Sequence, residues 1–322
     1  MFLEIKKRFD EYWAYQWRIE RRHKIPGIFE WDQKLVTLIE KSCNLNPRMK
    51  ILDLGCGGGD QLKVFSERGY SVTGIDIASS LADFAKKQLQ LNSLAGEIRC
   101  MDMRNINYCE EYDACVLLSF TFGFFMDEGD QELLYKINNA LAVGGHVFIM
   151  YMSPRESKRT RTWENINGGY ALNEEWYDSE RCTYCSNNFH VMSDGSIIIP
   201  ADDDVYNANE IIRCYTVPEM KRMLKSAGFG EMTFMSHNNV TNPNHQPSPE
   251  ERLNIVADST QTLKNDLNIA IRAALAGAVY NEKMQPLERM VYFLIYIKMD
   301  GNGNCIAYAI TNLILKNKEL WQ

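Results

Sequence analysis

The run ILDLGCGGGD at Ile51–Asp60 limits what this chain can fold into more than any other stretch. An apolar strand enters it and a helical pattern leaves it, with Gly55, Gly57 and Gly59 in the turn between them. Glycine tolerates the left-handed backbone that so tight a turn needs. It also lets backbone N–H groups approach a ligand at the N-terminus of the following helix. Strand, glycine loop and helix in that order open a parallel α/β sheet, not a bundle or a sandwich.

The text that follows sustains that reading. Strands are expected at Ile51–Leu54, Ser71–Ile75, Glu97–Met101, Tyr112–Leu118 and His146–Tyr151, with helices at Asp60–Arg68, Ser80–Leu91 and Gly129–Leu141. After Pro154 the pattern breaks into short alternating runs. Arg181–Met192 and Ser196–Ile199 read as antiparallel strands around Asp194-Gly195. A helix at Val217–Ala227 follows, opened by Thr216 as N-cap with Pro218 and Glu219 in its first turn and closed by Gly228. Strands at Glu231–Met235 and Arg252–Val256 complete seven. The fold class is therefore α/β: a doubly wound, seven-stranded, mostly parallel, Rossmann-like sheet with an antiparallel β-ribbon insertion at about 155–215. Before it, 1–44 reads as N-terminal helices, on the roughly 3.6-residue spacing of Phe2, Ile5, Phe9, Tyr12 and Trp13 and a second helix around Trp31–Ser42. The sheet with its insertion occupies 45–259. Residues 260–322 form a C-terminal appendage, read as an oligomerisation element that makes a homodimer.

Composition bears on partners and compartment. A formal net charge of −7 lacks the basic footprint of a nucleic-acid binder. An odd count of 9 cysteines behind a polar amphipathic N-terminus fits a reducing, cytoplasmic location, and no apolar run is long enough to cross a bilayer. The spacing around Cys182, Cys185, His190 and Cys214 lacks a second clear ligand pair for zinc, and Asp300–Asn304 departs from a calcium loop at Cys305 and Thr311. No metal is expected.

The chemistry concentrates at three strand ends. Asp53 stands two places before Gly55, where a carboxylate suits a ligand with a positive amino group better than a pyrophosphate. The G-x-G-x-G spacing also departs from the G-x-G-x-x-G of nicotinamide dinucleotide loops. Asp76, closing the next strand in Gly74-Ile75-Asp76, can accept both hydroxyls of a ribose. Asp102 in Cys100–Arg104 can accept from an adenine amine while Met103 covers a ring face.

Taken with YDACVLLSFTFGFF and IIRCYTVPEMKRMLKSAGF, these segments resemble the class I S-adenosylmethionine-dependent methyltransferases, within them the small-molecule enzymes that carry an antiparallel β-insertion. The likeness covers about 31–258. It implies that Asp53, Gly55, Cys56 and Gly57 hold the methionyl end of S-adenosyl-L-methionine. Asp76 would take the ribose, Asp102 and Met103 the adenine, and Leu118, Ser119 and Phe120 would flank the sulfonium, with Ile77 also among the cofactor contacts. S-adenosyl-L-homocysteine would be the product. Cys56 stands where such enzymes often carry a smaller residue.

A sulfonium methyl is already activated, so alignment of acceptor, methyl and sulfur supplies most of the acceleration, and a base is needed only for a protonated acceptor. The acceptor pocket is expected above the carboxyl ends of the strands. Candidate catalytic residues are His237, as a base, with Tyr12 and Tyr15 on the lid helix. Candidate acceptor contacts are Trp163, Tyr170 and Trp176 in the insertion and Arg213, Tyr215 and Asn238 near the last strands. The reading is methyl transfer to a small molecule, with nitrogen favoured because an aromatic lid steadies a cationic amine. A non-catalytic binding protein, an oxygen or carbon methyltransferase, a macromolecular methyltransferase and an NAD-dependent oxidoreductase stand as alternatives.

Overall fold

Seen in a computed structural model, the described residues are 4–7, 27–154, 158–166, 169–195, 197–200, 210–242, 244–246 and 254–259. In chain order the first elements are β1 (Glu4–Lys7), α1 (Ile28–Ser42), β2 (Lys50–Leu54), α2 (Asp60–Glu67), β3 (Ser71–Asp76), α3 (Ser79–Leu91), β4 (Glu97–Cys100), β5 (Tyr112–Phe122), α4 (Met126–Ala140) and β6 (Leu141–Tyr151). There follow β7 (Thr160–Ile166), β8 (Gly169–Asp178), β9 (Thr183–Met192), β10 (Ile197–Pro200), β11 (Glu210–Arg213), α5 (Val217–Ser226), β12 (Phe229–Met235) and β13 (Asn254–Ser259).

Seven strands form the main sheet in the order β12-β13-β6-β5-β2-β3-β4. The five from β6 to β4 run parallel, while β13 is antiparallel to both β6 and β12. Helices cover both faces, and for that reason the central strands read as unbroken apolar text. One face packs Leu35, Ile39, Leu62, Phe65 and Ala85 from α1, α2 and α3. The other packs Leu133, Leu134 and Ile137 of α4 with Met220 and Leu224 of α5. Thr216 caps α5 as expected and forms a capping box with Glu219.

The insertion supplies five strands, β7 to β11, of a second sheet whose sixth strand is β1. β9 pairs with β8 along one edge, and its other edge is shared: β11 pairs with Thr183–Ser186 and β10 with His190 and Val191. The Asp194-Gly195 turn joins β9 to β10, with Gly195 at φ 84°. The strand at Glu4–Lys7 corrects the helix expected there. These residues run parallel to β10, Glu4 opposite Ile197 through Lys7 opposite Pro200. An open sheet edge offers backbone partners that outweigh a local helical spacing. Tyr12, Tyr15 and the whole 260–322 appendage lie outside the described residues. Among the described residues no helix is long and apolar enough to cross a membrane.

β5 carries a backbone irregularity with later importance. Its pairing with β6 shifts between Leu117 and Phe122, and there Ser119 and Phe120 sit at φ 52° and 61°. Neither is a glycine, so the backbone is strained where it is bent out of the sheet.

Behind β5, the buried Tyr215 hydroxyl donates to Asp130 Oδ2 at 2.8 Å. Burial pushes the Asp130 carboxyl up to about 6. Tyr215→Phe is expected to cost about 1–3 kcal/mol by leaving that buried oxygen without its donor. Urea unfolding should show it as a lower midpoint with an unchanged slope.

Candidate functional site

The glycine loop is built from the end of the neighbouring strand. Gly55 and Cys56 both donate their N–H groups to the Ile75 carbonyl, at 2.8 and 3.0 Å, and Gly57 N–H donates to Asp76 Oδ2 at 2.7 Å. Gly59 N–H donates to the Cys56 carbonyl. These four amides are consumed in fixing the loop. Its glycines serve space instead. Gly57, at φ 54°, has nothing within 4 Å of where a Cβ would stand, whereas a Cβ on Gly55 would meet Thr121 of the β5 bulge at 2.5 Å.

Above the loop opens a cleft of about 420 Å³, within the size range of small-ligand sites. Asp53, Gly55, Cys56, Gly57, Asp76, Ile77, Asp102, Met103, Leu118, Ser119 and Phe120 all line it. Asp53 is 1% exposed, and its Oδ1 has no hydrogen-bond partner among the described residues. Burial, reinforced by the charge of Asp76, pushes its carboxyl up to about 8. Asp76 is likewise raised by burial, against the pull of the Gly57 and Ala78 amides that its two oxygens accept. Asp102 differs. Burial acts to raise it, but Arg104 grips it through Nε and Nη2 and holds it below the usual carboxylate range. The Arg104 guanidinium lies 4.6 Å over the Phe125 ring, which also lines the cleft.

The opposite wall is the insertion, and here the sequence reading went to the wrong face. Alternation along β8 puts Asn173 and Glu175 toward the cleft with Tyr184, Asn188, Glu210 and Ile212 from β9 and β11. Trp163, Tyr170 and Trp176 share the other face through the pairings Trp163 with Leu172 and Arg161 with Glu174. Trp163 is 72% and Tyr170 50% exposed, and Trp176 lies under the Arg159 guanidinium.

The other acceptor candidates also lie elsewhere. Arg213 binds Asp127 at 2.8 Å and Glu219 at 2.7 Å and stacks on Tyr215, away from the cleft. Asn238 and His237 belong to a 3-10 turn at His237–Val240 beside α1, where the His237 ring meets Trp31 with centroids 4.3 Å apart. Desolvation lowers the His237 pKa, but neither residue lines the cleft. Among the described residues, no group of three or more His, Cys, Asp or Glu side chains is placed to hold a metal.

The sheet order, the glycine loop and the carboxylates closing three successive strands are those of a class I S-adenosylmethionine-dependent methyltransferase. Comparison with known proteins places the chain in that class: residues 51–145 match the methyltransferase domain family. Across 219 residues the chain is 25% identical to the carboxy-S-adenosyl-L-methionine synthase of Shewanella loihica, 66% of this chain and 80% of that one. Two other synthases of that name match over 130 residues, 52% of their length. The fold superposes on a methyltransferase from Clostridium acetobutylicum with a TM-score of 0.56 at 13% identity, covering 78% of this chain and 98% of that one. It also superposes on CalS10, an S-adenosylmethionine-bound amino pentose methyltransferase from Micromonospora echinaspora, at TM-score 0.55 and 17% identity, over 80% and 99%. The chain is an S-adenosylmethionine-dependent methyltransferase.

A raised pKa at Asp53 has a consequence for stability. Between its ordinary 3.8 and about 8 the folded state keeps a proton that the unfolded chain has lost. Stability therefore falls as pH rises through that window. Asp53→Asn removes the penalty, so its melting temperature, relative to wild type without ligand, should climb from pH 5 to pH 8.5. A difference that stays flat or shrinks would show that Asp53 ionises freely.

Proposed function

We propose that the protein transfers the methyl group of S-adenosylmethionine to a nitrogen of a small molecule held in the same cleft. The observation that carries this reading is the buried, unpartnered Asp53 Oδ1 at the inner end of a cleft whose outer wall is rich in hydrogen-bond acceptors. A lone buried carboxylate oxygen fits the methionyl ammonium, which satisfies it and draws it into its charged form. Asp76 keeps a lone pair on each oxygen after accepting Gly57 and Ala78, enough for two ribose hydroxyls. Asp102, steadied by Arg104, faces the adenine amine, with Met103 and Ile77 against the ring system. Leu118, Ser119 and Phe120 bring the bent β5 backbone to the sulfonium.

The cofactor supplies an activated methyl, so these residues have to align and to exclude water. A nitrogen acceptor is supported by the wall of carboxylates and amides opposite the loop, and no longer by aromatic rings, which lie on the outer face. The structural neighbour CalS10 is named for an amino pentose, a compound that carries such a nitrogen. A carboxylated ligand such as the Shewanella relative's product would set a further negative charge against Glu175 and Glu210. Residues 45–259 form the methyltransferase unit in this reading.

Isothermal titration with S-adenosylmethionine tests the site. Asp76→Ala and Asp53→Asn should each weaken binding by roughly 10–150-fold, the worth of hydrogen bonds to a charged group. At pH 7 the wild type should release protons on binding, seen as a dependence of the heat on buffer ionisation, and Asp53→Asn should not. Wild-type affinity in both variants would refute the assignment.

A further inference from the structure

The inner face of the insertion holds acidic groups that neither the fold nor cofactor binding requires. Glu175, Ser186 and Glu210 stand in one row across β8, β9 and β11, with Asn173 and Asn188 paired in the next row on the same face. Adjacent strands lie about 4.8 Å apart, so the two glutamates flank Ser186 with their backbones about 10 Å apart.

Their hydrogen bonds are unequal. Asn188 Nδ2 donates to Ser186 Oγ at 3.0 Å, and Ser186 Oγ donates to Glu210 Oε2 at 2.8 Å. That relay fixes the Glu210 carboxylate and leaves Oε1 without a donor among the described residues. The Glu175 side chain makes no hydrogen bond or ion pair among them, and Asn173 Oδ1 is buried without a partner. The cations of the ribbon lie on its other face, where Arg159 and Arg161 both bind Glu174. The ribbon's side of the cleft is thus rich in acceptors and carries no lysine or arginine among its described lining residues, and such a wall calls for a ligand rich in donors and positively charged.

Resting on the function proposed above, we infer that the acceptor is a small ammonium compound, anchored by Glu175 and Asn173, and that Glu210 is the catalytic residue that takes its proton. A protonated amine has no lone pair to attack with. Glu210 removes one N–H proton onto Oε1. The freed pair forms the new N–C bond while the methyl C–S bond breaks with its electrons left on sulfur. The product leaves as the methylated ammonium, and the proton on Glu210 passes to solvent. Burial, with the charge of Glu175 beside it, pushes the Glu210 carboxyl up to about 7 against the Ser186 hydrogen bond, near the working pH of a base.

The test uses small amines each paired with its hydroxyl isostere, amino sugars against parent sugars and aminoalkanes against alkanols. Binding to the full chain with S-adenosylhomocysteine present is measured by titration, and methyl transfer by labelled S-adenosylmethionine. Amines should bind at least about tenfold more tightly than their isosteres, since an isostere leaves a charged acceptor unmet. Glu210→Gln should lower kcat by about 10²–10⁴-fold with S-adenosylmethionine affinity unchanged, which also certifies its fold. Glu175→Gln should raise the amine KM far more than it lowers kcat, and it carries the test through binding alone should Glu210→Gln not fold. Isosteres bound and methylated as well as the amines, no amine taken up by protein that binds S-adenosylmethionine, or a Glu210→Gln variant with the wild-type rate would each overturn the inference. Failure of the wild type to bind S-adenosylmethionine would instead strike the reading beneath it.

Discussion

One carbonyl and one carboxylate, both at the end of β3, hold the site in place. The Ile75 carbonyl accepts from Gly55 and Cys56, and Asp76 accepts from Gly57, so the loop after β2 takes its shape from the strand beside it. The two strands are in parallel register, Asp53 opposite Gly74 and Leu54 opposite Ile75, which sets those acceptors beside the first glycine. With four of its amides spoken for, the loop leaves space above Gly57 and one buried carboxylate, Asp53. Charge recognition then falls to side chains at strand ends, each in a different electrostatic state: Asp53 isolated, Asp76 bound to backbone, Asp102 clasped by Arg104.

How much of this was legible in the text follows from where each residue makes its contacts. Strands covered on both faces are continuous apolar runs, so VLLS or VFIM declares itself without knowledge of neighbours. The carboxylates that close them stand at fixed places relative to those runs, and every residue named for the cofactor lines the cleft. The insertion obeys another rule. YALNEEWYD alternates, but each of its two faces mixes polar and apolar groups, and the ordinary assumption that aromatic residues turn inward selects the wrong one. What decides is the cleft: it needs polar groups on Asn173 and Glu175, and it leaves Tyr170 and Trp176 to the side where Arg159 and Arg161 lie. Arg213 and Tyr215 were read by proximity to strand ends, yet their partners, Asp127 and Asp130, come from α4, some 85 positions earlier in the chain, where no local spacing reports them.

The two faces of the insertion divide its electrostatic work. Outward, Glu174 is matched by two arginines and Trp176 by a guanidinium, a surface in balance with itself and with water. Inward, the same strands hold carboxylates, Glu175 and Glu210, that form no ion pair among the described residues. Exposed pairs of the outer kind add little to stability, whereas unmatched groups within a cleft are held at a cost that a bound partner relieves. A ribbon with successive residues on opposite faces does both tasks in a few residues.

The bend in β5 narrows what heredity can try at this site. Two consecutive side-chain-bearing residues, Ser119 and Phe120, hold a conformation that costs of order 1–3 kcal/mol apiece. Branching at Cβ would sharpen the clash, so valine, isoleucine and threonine are closed to both places, while asparagine and glycine relieve it. Drift there runs along a corridor of unbranched or turn-forming residues, however freely the helices around it vary.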